Sequence, residues 1–140
     1  MSNKNEELKK WLKAYLKSRL ATSLVHIEES ENTLFVEYTE KKHLYVIYPI
    51  FNEIAPLLDK VKSKEHSITI VALNTDKNVI QLVEWWDELA QYPQLSLFFV
   101  VPEMSEKWAI FPFTHNKITE RKYLEKGLRA MAEGIGYSRE

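Results

Sequence analysis

The stretch Ser67-Ile68-Thr69-Ile70-Val71-Ala72-Leu73-Asn74-Thr75-Asp76 decides the fold class. From Ile68 to Leu73 it is almost wholly apolar, as a strand is when helices cover both faces of its sheet. The period then changes. Val79, Leu82, Val83, Trp86 and Leu89 share one face at helical spacing, Thr75 or Asp76 supplies an N-cap, and Tyr92-Pro93 supplies a stop. Leu95 to Val101 is a second strand of the same fully buried kind. A strand, a helix and a strand in this order imply a parallel crossover, so the chain reads as α/β.

The same reading extends toward the N-terminus. Leu8, Trp11, Leu12, Tyr15, Leu16 and Leu20 predict an amphipathic helix from about Glu6 to Leu20. Leu24 to Glu28 and Leu34 to Tyr38 alternate with period two around Ser30-Glu31-Asn32-Thr33, which predicts a hairpin. A turn at Glu40-Lys41-Lys42 leads into His43 to Tyr48 and completes an antiparallel meander. Ile54, Leu57, Leu58 and Val61 predict a helix with Asn52 as its cap and Pro56 in its first turn, where a missing N–H costs little.

Beyond Val101 the spacing predicts a loop at Glu103 to Glu106 and a strand from Trp108 to Phe113. A last helix carries Leu124, Leu128, Met131, Ala132 and Ile135 and ends at Gly134 or Gly136. The expected architecture is one domain over residues 1–140, a mixed sheet of about six strands with helices on both faces. Its meander precedes its parallel strand–helix–strand units, and the strands at Ile68 and Leu95 are central.

Composition excludes several classes of function. Nineteen Lys and Arg against twenty Asp and Glu give a formal net charge of -1, too little to draw the whole molecule onto nucleic acid or membrane. No cysteine is present, which removes disulfides, thiolate metal sites and cysteine nucleophiles. With three glycines there is no Gly-rich phosphate cradle. The first ten residues are charged, and no apolar run approaches the ~18 residues of a membrane span. The expectation is a cytoplasmic protein. The serines Ser23, Ser67 and Ser96 have no nucleophile-elbow setting.

One helix, a three-stranded meander, a helix and a further strand over residues 6–73 resemble the core order of the PD-(D/E)xK restriction-endonuclease-like superfamily. The resemblance implies a strand-borne Asp and a following Glu-Xaa-Lys that hold a divalent metal ion and activate water. Glu40-Lys41-Lys42 matches Glu-Xaa-Lys but falls at a predicted turn, and in the apolar setting of Leu34 to Thr39 a threonine stands two residues after Glu37 where the family has lysine. No Pro-Asp pair precedes either. Glu28, Glu37, Glu40 and Lys42 are therefore the catalytic candidates under this resemblance. Because the motif is incomplete, the expectation is a domain that works by binding a protein partner or itself. The alternative is a metal-dependent nuclease or a nucleic-acid-binding protein of this type.

Without any family, the hairpin carries the best constellation. With Glu31 and Asn32 in the turn, His26 faces Glu37 and Glu28 faces Phe35 on one sheet face. His26, Glu28 and Glu37 could supply oxygen and imidazole ligands to a divalent ion, and the plain alternative is a solvated sheet face. No other cofactor is implied. Lys9, Lys13 and Lys17, at i, i+4 and i+8, form a stripe that could follow phosphates, against the plain reading of a solvated helix face. Asn74, Thr75, Asp76 and Glu103 sit at strand ends, where α/β sheets bind ligands if the strand order reverses, although helix capping is the simpler account. Trp85, Phe111 and Phe113 are candidates for a homodimer contact beside an open last strand.

Overall fold

The computed structural model describes residues 3–19, 24–39, 41–51, 55–62 and 66–138. The described chain runs α1 (Lys4–Arg19), β1 (Leu24–Glu29), β2 (Thr33–Tyr38), β3 (Lys42–Ile47), α2 (Ala55–Lys62), β4 (Ser67–Leu73), α3 (Asp76–Glu84), α4 (Trp86–Leu89), β5 (Leu95–Val101), a 3-10 turn (Pro102–Met104), β6 (Glu106–Ile110), α5 (Pro112–Ile118) and α6 (Arg121–Ile135).

Among the described residues six strands form one mixed sheet in the order β1-β2-β3-β4-β5-β6. The meander is antiparallel, β3, β4 and β5 are mutually parallel, and β6 returns antiparallel to β5. The almost wholly apolar strands β4 and β5 are central, as their composition requires. Because the order is sequential it never reverses among the parallel strands, so the condition for a switch-point crevice is not met.

Two cores flank the sheet. On one face Leu8, Leu12 and Leu16 of α1 pack on Leu34, Val36, Tyr45, Ile47, Val71, Leu73 and Val100. Each of these leucines is fully buried, worth about 2 kcal/mol apiece. The other face carries the larger core, where α2, α3, α4 and α6 cover Leu44, Val46, Ile70, Leu97, Phe99 and Ile110. At the start of α1 the backbone N–H of Glu6 donates to Asn3 Oδ1 (3.2 Å), and acidic Glu6 and Glu7 precede basic Lys17 and Arg19 in the sense the helix dipole favours.

Several expectations change. The single helix expected from Val79 to Leu89 is interrupted at Trp85, whose φ/ψ of -97/12 separates α3 from α4. Two adjacent tryptophans cannot both face one core. Trp86 is fully buried and donates from Nε1 to Asn116 Oδ1 (2.9 Å), while Trp85 stays half-buried. The last strand spans Glu106–Ile110, not Trp108 to Phe113, because Pro112 lacks the N–H that a ladder needs and its fixed φ suits the first turn of α5. Phe111 therefore caps a helix that the hydrophobic spacing did not reveal, and it shares no strand face with Phe113. The expected loop from Glu103 to Glu106 overlaps the 3-10 turn, which is closed by Ser105 in the left-handed region at φ 52, and ends where β6 begins.

The strand-end polar groups serve the fold. Thr75 is the N-cap of α3 and accepts from the Asn78 N–H (3.1 Å). Asn74 is fully buried, donates to the carbonyls of Ala132 (3.0 Å) and Gly136 (2.9 Å), and accepts from Trp108 Nε1 (2.8 Å). Asp76 accepts from Arg129 (2.7 Å) and Glu103 from Ser138 Oγ (2.7 Å). These bonds fasten the end of α6 across the tips of β4 and β5.

Candidate functional site

From His26 to Glu29 the hairpin register is the one the turn dictates, and it shifts by one residue between His26 and Leu24, which pairs with Tyr38. His26 pairs with Glu37, Glu28 with Phe35, and Glu37 in turn with Lys42, so His26, Glu37 and Lys42 form one row across β1, β2 and β3. His26, Glu28 and Lys42 are exposed and Glu37 is half-buried. The row lies on the face opposite α1. Among the described residues no group of three or more His, Asp or Glu side chains is placed to hold a metal ion. Glu40 and Asn52 lie outside the described residues.

Two of the three stripe lysines are paired with the hairpin, Lys9 buried and Lys13 at the surface. Lys9 is buried, with Nζ 2.9 Å from the Ser30 carbonyl and 3.4 Å from Glu29 Oε2, and Lys13 Nζ lies 2.7 Å from Glu29 Oε1. Lys13 and Lys9 hold the Glu29 carboxyl below the ordinary range. These contacts tie α1 to the hairpin and leave Lys17 as the exposed member.

Beneath α1, β2 and β3 present Tyr38, His43 and Tyr45, and no carboxylate. His43 stacks on Tyr45 with centroids 4.3 Å apart, and the Tyr45 and Tyr38 hydroxyls are 3.1 Å apart. His43 Nε2 lies 2.6 Å from Thr69 Oγ1, which lies 2.8 Å from Ser96 Oγ. Burial, helped by the charge of His66, pushes the His43 imidazole down to about 4, so it is neutral at pH 7. Burial raises the Tyr38 and Tyr45 hydroxyls. This chain has the residue types of a nucleophilic relay, yet Thr69 is 1% and Ser96 4% exposed, which denies a substrate carbonyl access to either.

Next to this floor the sheet is open. The α1-side core ends at β5, and the space between α1 and the segment from Pro102 to Lys107 is a groove with two lobes. One, of about 400 Å³, is lined by Glu7, Lys10, Trp11, Ala14, Pro102, Glu103 and Ser105. The other, of about 510 Å³, is lined by Trp11, Ala14, Tyr15, Ser18, Arg19, Ser105 and Lys107. Trp11 and Tyr15, one turn apart, stack at 5.1 Å and 16°, and Phe98 meets both edge-on. The Lys107 ammonium sits 5.1 Å from the Tyr15 centroid and 4.8 Å from that of Phe98, and the Arg19 guanidinium sits 6.0 Å from Tyr15.

The groove was not among the sequence candidates. Trp11 and Tyr15 read as members of the buried stripe of α1, whereas both are half-buried at its margin. One signal pointed to it. Alternation along β6 puts Lys107 on the side opposite buried Trp108, where a cation on a covered face would be costly.

No family model, curated protein or solved structure matches the chain.

Proposed function

We propose that this chain is a binding domain of restriction-endonuclease-like outline that does not hydrolyse nucleic acid and engages its ligand through the groove beside α1. The order α1-β1-β2-β3-α2-β4 agrees with the core order of that superfamily. The observation that carries the proposal is how the chemistry divides between the two faces of the meander. A metal-dependent phosphodiesterase needs carboxylates gathered around one ion to activate water and offset developing charge. Here exposed Glu28 and half-buried Glu37 stand at the margin of the face opposite α1, while the α1 side holds Tyr38, His43 and Tyr45.

Titration with manganese, read by paramagnetic broadening of amide signals, tests this assignment. The expected result is no selective broadening at His26, Glu28, Glu37 or Lys42. Broadening confined to that row and lost in Glu37→Ala would restore the nuclease reading.

A second reading, self-association, rests on apolar side chains of the last two helices. Phe111 is 55% and Ile118 78% exposed around α5, and Tyr123 and Met131 are exposed on α6. Trp85 and Phe113, half-buried, contribute less to such a surface than the sequence suggests. No described helix is long and apolar enough to cross a membrane. The absence of cysteine suits the reducing cytoplasm, which we take as the site of action.

A further inference from the structure

We infer that the α1 groove takes a free nucleoside phosphate, with the base against Trp11 and the phosphates on Arg19 and Lys107. This inference rests on the reading of the groove as the binding site and names its ligand.

The two lobes of the groove differ in charge, one mixed and the other cationic. The lobe nearer the start of α1 combines the Trp11 ring, Ala14 and Pro102 with Lys10 and two carboxylates, Glu7, which pairs with Lys4 (3.3 Å), and Glu103, which accepts from Ser138 Oγ on one oxygen. Flat apolar walls with a few hydrogen-bond acceptors suit a base that carries N–H donors. The other lobe carries Ser18, Arg19, Ser105 and Lys107 and no carboxylate. It supplies two cations and two hydroxyls.

Both cations are unspent. Among the described residues neither Arg19 nor Lys107 has a carboxylate partner, and each lies instead over an aromatic ring. A ring face positions a cation and leaves its N–H donors to turn toward an anion. Tyr15 fixes the arrangement by stacking on Trp11 while carrying both cations.

Size favours a small ligand. Each lobe lies in the range of about 300–1,000 Å³ typical of small-molecule sites. Trp11 and Arg19 are eight residues apart on one helix, about 12 Å along its axis at about 1.5 Å per residue. That is comparable with the length of a nucleoside diphosphate.

The test is calorimetry of the full chain with ADP, GDP, CDP and UDP in turn, and with the four parent nucleosides, pyrophosphate and a single-stranded oligonucleotide as controls. The expected result is that at least one diphosphate binds with sub-millimolar affinity, and that its nucleoside and pyrophosphate each bind at least tenfold more weakly. Arg19→Gln, at an exposed position that leaves the fold intact, and Lys107→Gln should each weaken that binding at least fivefold. Trp11→Ala should do the same with an unchanged circular dichroism spectrum.

The inference is overturned if no diphosphate binds at millimolar concentration, if Arg19→Gln and Lys107→Gln both bind as the parent does, or if only the oligonucleotide binds. Chromatography of the oligonucleotide control after magnesium is added separates the two levels. Cleavage of the oligonucleotide would sink the non-hydrolysing reading and leave the ligand assignment standing, whereas an intact oligonucleotide with no diphosphate bound does the reverse.

Discussion

Replacing His43 by Gln should remove most of the acid sensitivity of this fold. In the folded chain the imidazole lies under α1, stacked on Tyr45 and bonded to Thr69, and its pKa is pushed from 6.5 to about 4. Desolvation is the main cause and the charge of His66 the second. The unfolded chain takes up this proton near pH 6.5 and the folded chain only near 4, so the contribution is fully present above about pH 6.5 and is lost as pH falls through about 4. At about 1.4 kcal/mol per pH unit, the gap amounts to about 3 kcal/mol, a large fraction of the stability of a domain this size. Urea denaturation at intervals from pH 7.5 to 4 would measure it. The parent should lose about 3 kcal/mol more than His43→Gln over that range. Equal losses in the two proteins, or an imidazole that titrates near 6.5 by NMR, would refute the argument.

Other substitutions test other joints. Asn74→Ala leaves Trp108 Nε1 and the carbonyls of Ala132 and Gly136 without their partner; it should cost about 3 kcal/mol in urea denaturation, since each orphaned buried group costs about 1–3 kcal/mol. Thr75→Ala removes the N-cap of α3 and should cost about 1 kcal/mol by the same assay, with Thr75→Ser close to neutral. Light scattering at high concentration should detect a dimer, and Ile118→Lys with Met131→Lys should return it to monomer with an unchanged melting temperature.

The legibility of this fold in its sequence follows the strength of each periodic signal. The apolar runs at Ile68 and Leu95 have one reading, and they stand as central parallel strands. The hairpin register also follows from its turn, down to the pairs His26 with Glu37 and Glu28 with Phe35. Strand β6 is harder, because Trp108, Ile110, Phe111 and Phe113 are apolar enough for a strand that runs on, and only Pro112 marks where a helix begins. Adjacent Trp85 and Trp86 likewise leave the interruption between α3 and α4 invisible to a spacing argument.

The site was less legible than the fold. Cross-strand neighbours can be counted along a hairpin, so attention falls on His26, Glu28 and Glu37. The groove joins Trp11 and Tyr15 of the first helix to Lys107 of the last strand, a meeting set by where α1 crosses the sheet. The stripe lysines show the converse. Lys9 and Lys13 look solvated on a helical wheel and are drawn onto Glu29 and Ser30 once the hairpin folds beside them.

The most direct test of the central claim, binding without hydrolysis, is a time course of plasmid DNA, single-stranded DNA and RNA with the purified chain in millimolar magnesium or manganese. The account predicts that all three substrates remain intact at stoichiometric protein. Metal-dependent cleavage that Glu28→Ala or Glu37→Ala abolishes, with the fold retained, would contradict it and place the active site on the hairpin.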